Sequence, residues 1–317
     1  MKRPPFSNRG AWRAGQWAVL LCAFFWSTSG LFIKLIGWHP VIIAGLRSLV
    51  AALFIAAAGP AGRLADRFVL KRRGERGQFK AKNNPILLVA GGLAYAATMI
   101  LFVTANKLTA SANAILLQYS APVWAALLGW FIGERPRWEH WGALALVMTG
   151  FLIFFHEGLG GGSLLGDCLA LLSGLTFGAN SVLMRMQKEG SPADSMLLAH
   201  IITAVFCVPF FFLHPPEFTP SNTAAILFMG TVQIGLASLL FAYGIRRIPA
   251  INAMLAAAIE PVLNPLWVLA VTGEKPGLPA LTGGALIVGA VIASSVITGR
   301  RKNRGTGAPP KGRPPRR

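Results

Sequence analysis

The fold class the sequence predicts is an all-α integral membrane protein of ten transmembrane helices, built as two inverted five-helix repeats. Three observations predict it. Hydrophobic residues make up 54% of the 317 and charged residues only 13%, against about 25% charged in an ordinary soluble domain. The apolar residues gather in ten runs, each close to the roughly 20 residues a helix needs to cross a hydrocarbon core. One of these runs occurs twice, with the same polar punctuation at both ends.

Taken in order, the runs cover 17–36, 40–59, 85–105, 109–131, 138–156, 165–186, 194–213, 222–244, 250–272 and 278–298. The first follows Lys2, Arg3, Arg9 and Arg13, as a signal peptide would, but no small-residue cleavage pattern comes after it, so it reads as a membrane helix. The connections at 37–39 and 106–108 are short enough to leave a fused or re-entrant pair open. The net charge of +19 would point to nucleic acid in a soluble chain, but the basic residues sit between apolar runs and at the termini. With a cytoplasmic amino terminus, all but four of the 30 Lys and Arg fall on the cytoplasmic side. Lys107 and Lys275 fall outside, and Lys34 and Arg47 fall within helices. This positive-inside asymmetry requires an even number of spans. The 60–84 loop, with eight of the basic residues, is expected to lie solvated near anionic lipid head groups. The tail from Arg300, rich in Pro, Gly and Arg, is expected to be disordered. The resulting division is a cytoplasmic basic tail at 1–14, a first repeat at 15–156, a second at 165–298 and a disordered basic cytoplasmic tail at 299–317.

The repeat is read from residues. Asn113 matches Asn252, Pro122 matches Pro261, and Gly133-Glu134-Arg135-Pro136 matches Gly273-Glu274-Lys275-Pro276. Gly15–Leu35 aligns with Gly166–Met186, pairing Leu20 with Leu171, Leu21 with Leu172 and Lys34 with Arg185. A five-helix unit repeated in tandem enters the membrane from opposite sides in its two copies. Inverted repeats recur in secondary transporters, with the substrate site near the midplane at their interface.

Between Ala253 and Thr272 the one charge is Glu260. An ionisable group there costs about 2.5–3.5 kcal/mol on insertion scales and is tolerated where it faces a cavity or a partner. Pro261 and Pro265 lack the amide protons that would bond the carbonyls of Ala257 and Pro261, leaving both free for a neighbour or a ligand. Glu260, Asn264 and Trp267 fall on one helical stripe. Gln118 and Tyr119 stand where the other copy has Ala257 and Ala258, which predicts a lopsided pocket. Trp26, Ser27 and Thr28 in the first helix, and Thr176, Asn180 and Ser181 in the sixth, fall in matching stretches of the repeat. Tyr95, Gln233 and Tyr243 complete the candidate lining, with Thr98 and Asn106 beside Tyr95. For each the bland alternative is packing or an interhelical hydrogen bond, worth about 0.6 kcal/mol on average. Arg47, about seven residues inside its helix, holds an anionic substrate group, pairs with a carboxylate or, as the favoured reading, plays a structural role with its guanidinium at the interface. Glu134 and Glu274 read as helix-terminating and capping groups. The histidines mostly flank helices and form no ligand-spaced cluster. Cys22, Cys168 and Cys207 lie in apolar runs without CxxC spacing, so neither a zinc site nor a disulfide framework is expected, and no cofactor.

FWSTSGLFIKL at 25–35, PVIIAGLRSLVAALF at 40–54, SAPVWAALLGWFIGERP at 120–136 and IEPVLNPLWVLAVTGEKP at 259–276 resemble the drug/metabolite transporter superfamily, and within it the EamA-type group with ten helices and two EamA repeats. The resemblance covers about residues 15–298 and implies a carrier of amino acids, nucleotide-type metabolites or other small organic solutes. One departure is that Ala199 and His200 stand in the second half where the first carries Arg47. The expected function is alternating-access transport of a small organic metabolite, an amino acid or related solute, with export favoured and proton coupling through Glu260 open. The partners are a small-molecule substrate and a bilayer with anionic lipids, with a homodimer allowed and no nucleic acid. The setting is the plasma membrane, as in a bacterial inner membrane, with multiple passes and both termini cytoplasmic. An integral-membrane lipid-modifying enzyme, a channel and a non-transporting membrane module are the alternatives. The enzyme is disfavoured because no paired carboxylates or His/Asp cluster is visible.

Overall fold

The computed structural model describes residues 9–28, 32, 36–72, 84–109, 111–156, 163–263, 267, 270 and 277–305. All regular structure among them is helical: α1 Arg9–Trp26, α2 Pro40–Arg72, α3 Pro85–Leu108, α4 Ser111–Gln118, α5 Ala121–Phe131, α6 Trp138–Phe155, α7 Leu164–Met186, α8 Pro192–Leu213, α9 Pro220–Phe228, a π-helical segment Met229–Leu236, α10 Ala237–Ile245, α11 Ala250–Ala257 and α12 Leu278–Gly305. Among the described residues, seven helical stretches are long and apolar enough to cross a membrane, and Trp138–Phe154 and Ala250–Leu263 are shorter apolar helices.

Local chemistry sets the starts. Pro85, Pro192 and Pro220 open helices where a missing amide proton costs nothing. Asn84, Ser163 and Thr219 accept from the free amides of Ile86, Gly166 and Asn222 at 3.0, 3.1 and 3.2 Å. Several boundaries differ from the sequence expectation. The first helix begins eight residues early and ends at Trp26, where Ser27 and Thr28 turn their hydroxyls onto the carbonyls of Phe24 and Phe25. The second runs past the apolar stretch to Arg72, and the last continues to Gly305, into the tail expected to be disordered.

Packing joins helices from the two halves: α3 with α7, α6 with α12, α2 with α8, and α1 with α10. Glycine makes the closest crossing possible. A Cβ on Gly150 would lie 2.9 Å from the carbonyl of Gly283, and one on Gly283 would lie 2.5 Å from the carbonyl of Gly150. Small residues of this kind let membrane helices approach backbone to backbone, where lipid supplies no hydrophobic drive between them.

The two copies of the repeated segment break at matching residues. Ser120 donates to Leu117 three residues back at 3.1 Å, and its counterpart Ile259 donates to Ala256 at 3.5 Å. Each tightened turn sits just before a proline, Pro122 or Pro261, and a helical turn resumes beyond it.

An ion pair to a buried arginine fixes one end of this arrangement. Glu134, just past α5, accepts from Arg185 Nε at 2.6 Å through Oε1 and from the Ala250 amide at 3.1 Å through Oε2. Arg185 also donates through Nη1 to the Ile245 carbonyl at 2.8 Å. Glu134 thus caps the start of α11 instead of an end of its own helix.

Candidate functional site

Tyr119 and Glu260 meet across the two breaks. The phenol donates to Glu260 Oε2 at 2.7 Å and lies 3.4 Å from the Ala257 carbonyl, the group Pro261 deprives of its amide donor. Tyr119 is held by Phe151, ring centroids 4.9 Å apart. Glu260 is partly buried and Tyr119 is buried. The acid of one copy is therefore met by the phenol of the other, at the point where both helices lose their regular bonding.

Other expected residues stand against aromatic rings. Trp267 donates through its indole to Ser27 Oγ at 2.8 Å and meets Phe24 edge-on at 5.2 Å. Trp26 is buried between Phe177 at 5.8 Å and Phe241 at 5.5 Å. Tyr95 is buried against Phe177 at 6.3 Å and edge-on to His200 at 5.8 Å. Hydrogen-bonding capacity is left over inside this shell. The Trp26 indole nitrogen, both amide atoms of Asn180, Gln233 Oε1 and Arg47 Nε are buried without a hydrogen-bond partner. Buried polar groups are normally paired, and a site that pairs them only when a solute is bound is one reason for an exception.

The other expected residues divide. Gln118 donates to Ser173 Oγ at 3.0 Å, and Ser173 in turn donates to the Thr98 carbonyl at 3.2 Å, so this side chain ties α4 to α7 and α3. Ser27 and Thr28 spend their protons on their own helix, as their residue type favours, though Ser27 still accepts from Trp267. Thr98 and Thr176 bond each other at 2.9 Å, and Ser181 bonds the Phe177 carbonyl at 3.0 Å. Gln233 is buried, with Nε2 3.5 Å from the Trp26 carbonyl. Asn264 and the Asn106 side chain lie outside what the structure describes.

Tyr243, expected in the lining, is 41% exposed, with the Arg247 guanidinium stacked 3.3 Å over its ring. The interface-reaching reading of Arg47 fails, since the side chain is only 6% exposed. His200 was missed. It is fully buried in the middle of α8, with Nε2 3.0 Å from Ser238 Oγ. Its place across the repeat from Arg47 was the available signal. Gln233 sits inside a π-helical segment, a feature often found at functional positions. A separate cavity of about 620 Å³ opens between residues 37–40 and 213–222, beside stacked His39 and His214, and none of the expected site residues lines it.

An acid, a phenol, indoles and unpaired amides drawn from both halves can bind a small polar solute and exchange a proton. Known proteins agree in kind. The EamA-like transporter family matches residues 13–156 and again 164–296. An uncharacterized transporter of Bacillus subtilis, YwfM, is 25% identical over 294 residues, covering 90% of this chain and 94% of that protein. A probable terminal-alkyne amino-acid exporter of Streptantibioticus cattleyicolor is 24% identical over 301 residues, covering 92% and 96%. A crystal structure at 22% identity superposes with a TM-score of 0.74 over 91% of this chain and 98% of its own, which supports the fold. The chain belongs to the EamA-like transporter family, and is a multi-pass membrane transporter, not an enzyme.

Proposed function

We propose that the chain is an alternating-access secondary transporter of ten membrane helices in two inverted repeats. It exports a small organic metabolite, an amino acid or related solute, across the plasma membrane, with both termini in the cytoplasm. One observation carries the reading: Glu260 of the second repeat is held by Tyr119 of the first, at helix breaks that coincide in the two copies. In an inverted pair, exchanging the conformations of the halves exchanges the side on which a central site opens. A carboxyl placed on that seam changes its surroundings with each exchange and so can take up a proton, or the cationic group of a solute, on one side and release it on the other. Broken helices at both copies supply the hinge. The exporter among the relatives, which is named for an amino acid, supports the solute class.

The test is tracer counterflow in proteoliposomes. Saturable counterflow is expected, which separates a carrier from a pore. Glu260→Gln is expected to lower transport at least tenfold and to flatten its pH dependence. A variant transporting at the wild-type rate, with the wild-type pH profile, removes Glu260 from the mechanism.

A further inference from the structure

We propose that Arg47 anchors a carboxylate of the transported solute, making this a carrier for organic acids and zwitterions with an apolar body and setting its selectivity against amines and amides. The inference rests on the transporter reading and names its substrate class.

Arg47 stands inside a membrane-spanning stretch, Pro40–Ala58, and is 6% exposed. A guanidinium at that depth is costly and persists where something neutralises it. Arg185, the other deeply buried cation, is satisfied on Nε by Glu134 and on Nη1 by the Ile245 carbonyl. Arg47 has nothing comparable: its Nε is buried without a hydrogen-bond partner, and it forms no ion pair among the described residues. Its helix packs against α8, where Gly45, two residues before Arg47, abuts the Cys207 side chain. Its own backbone abuts the π-helical segment, where a Cβ on Gly230 would lie 2.9 Å from the Arg47 carbonyl oxygen. Gln233, one turn on, carries an unpartnered Oε1.

His200 Nε2 lies 3.0 Å from Ser238 Oγ, and Tyr95 packs edge-on against the imidazole. Tyr95 also touches Phe177, which continues into the aromatic wall of Trp26 and Phe241. A carboxylate fits the guanidinium in fork geometry, and the aromatic wall takes an apolar body. Glu260, held by Tyr119, is left for an amine or a proton. The arrangement is two-ended, with the cation contributed by the first repeat and the acid by the second.

The probes are phenylalanine, phenylalaninamide and phenylacetate, applied to the purified full-length protein by thermal shift and to proteoliposomes by counterflow. Phenylalanine and phenylacetate are expected to stabilise the wild type at concentrations at least tenfold below phenylalaninamide, because removing one partner of a buried charged pair costs that much or more. Arg47→Gln is expected to erase the preference for acids, and Arg47→Lys to restore part of it. The wild-type comparison stands even where Arg47→Gln fails to fold. A wild type that shows no preference for the acids, whether by accepting the amide equally or by binding none of the three, overturns the proposal. Counterflow of any other solute in that case leaves the transporter reading intact, so the two failures are separable.

Discussion

The segments 113–136 and 252–276 descend from one pattern, and the contrast between them is informative. Their backbones agree: Ser120 to Leu117 and Ile259 to Ala256 are the same three-residue bond, each ahead of the same proline. Their side chains do not. The first copy has Tyr119 and Ala121 where the second has Ala258 and Glu260. The copies agree where the chain bends and differ where Tyr119 meets Glu260. A symmetric pair of acids would leave two like charges facing each other across the seam, each raising the cost of the other. One acid and one phenol give a hydrogen bond instead, at 2.7 Å.

The largest stability effect is expected at the far end of the first copy. Glu134 is the partner of a buried arginine and the cap of α11, joining α5, α7, α10 and α11 in one cluster. Glu134→Ala leaves Arg185 buried without its carboxylate, which in comparable cases costs about 3–5 kcal/mol. The purified variant is expected to melt well below wild type, with Glu134→Gln in between because its side-chain oxygen can still accept from Ala250. An unchanged melting temperature would mean that this end of the repeat is held by packing alone.

Next comes the phenol. Tyr119→Phe keeps the ring against Phe151 and removes the hydroxyl that donates to Glu260 across the seam. Such bonds contribute about 0.5–1.5 kcal/mol, more to a charged acceptor, so transport is expected to fall several-fold up to about tenfold with little change in melting. Equal activity in Tyr119→Phe and wild type would make the two copies functionally as independent as their sequences are different.

A smaller loss is expected at Ser27→Ala, which takes the acceptor from Trp267 and the donor from the Phe24 carbonyl. Membrane hydrogen bonds average about 0.6 kcal/mol, so a two- to threefold change in apparent affinity, read by counterflow, is the expected scale.

Much of this was legible in the residues. A membrane span is read from length and apolarity, and those two properties survive any packing arrangement. The breaks were legible because proline acts through its own missing proton. The asymmetry between the copies was legible as Gln118 and Tyr119 set against two alanines. What escaped depended on contacts distant in sequence. The pairing of Glu134 with Arg185 spans 51 residues, and each looks in sequence like an ordinary helix-end charge. His200 belongs to a set of histidines that mostly flank helices, although it lies mid-helix itself. The π segment at 229–236 contains no proline, and its Gly230 presses on Val50 and Arg47 of α2, a contact local sequence does not announce.

Tyr243 shows the effect of that segment on the sequence expectation and gives the smallest predicted effect. Ten residues of regular helix turn about 1,000°, which already separates Gln233 from Tyr243, and each residue inserted by a π turn rotates the rest of the helix by about 100° more. Gln233 is accordingly buried while Tyr243 faces out under Arg247. Its counterpart in the first half, Thr104, bonds its own helix at the Ile100 carbonyl, 2.8 Å away. Tyr243→Phe keeps the ring beneath Arg247 and removes only an outward hydroxyl. Transport and melting are expected within twofold and about one degree of wild type. A marked loss of transport in this variant would place Tyr243 on the solute path and require the second half to rotate beyond its π segment during the cycle, a motion the first half, with a regular α3, could not copy.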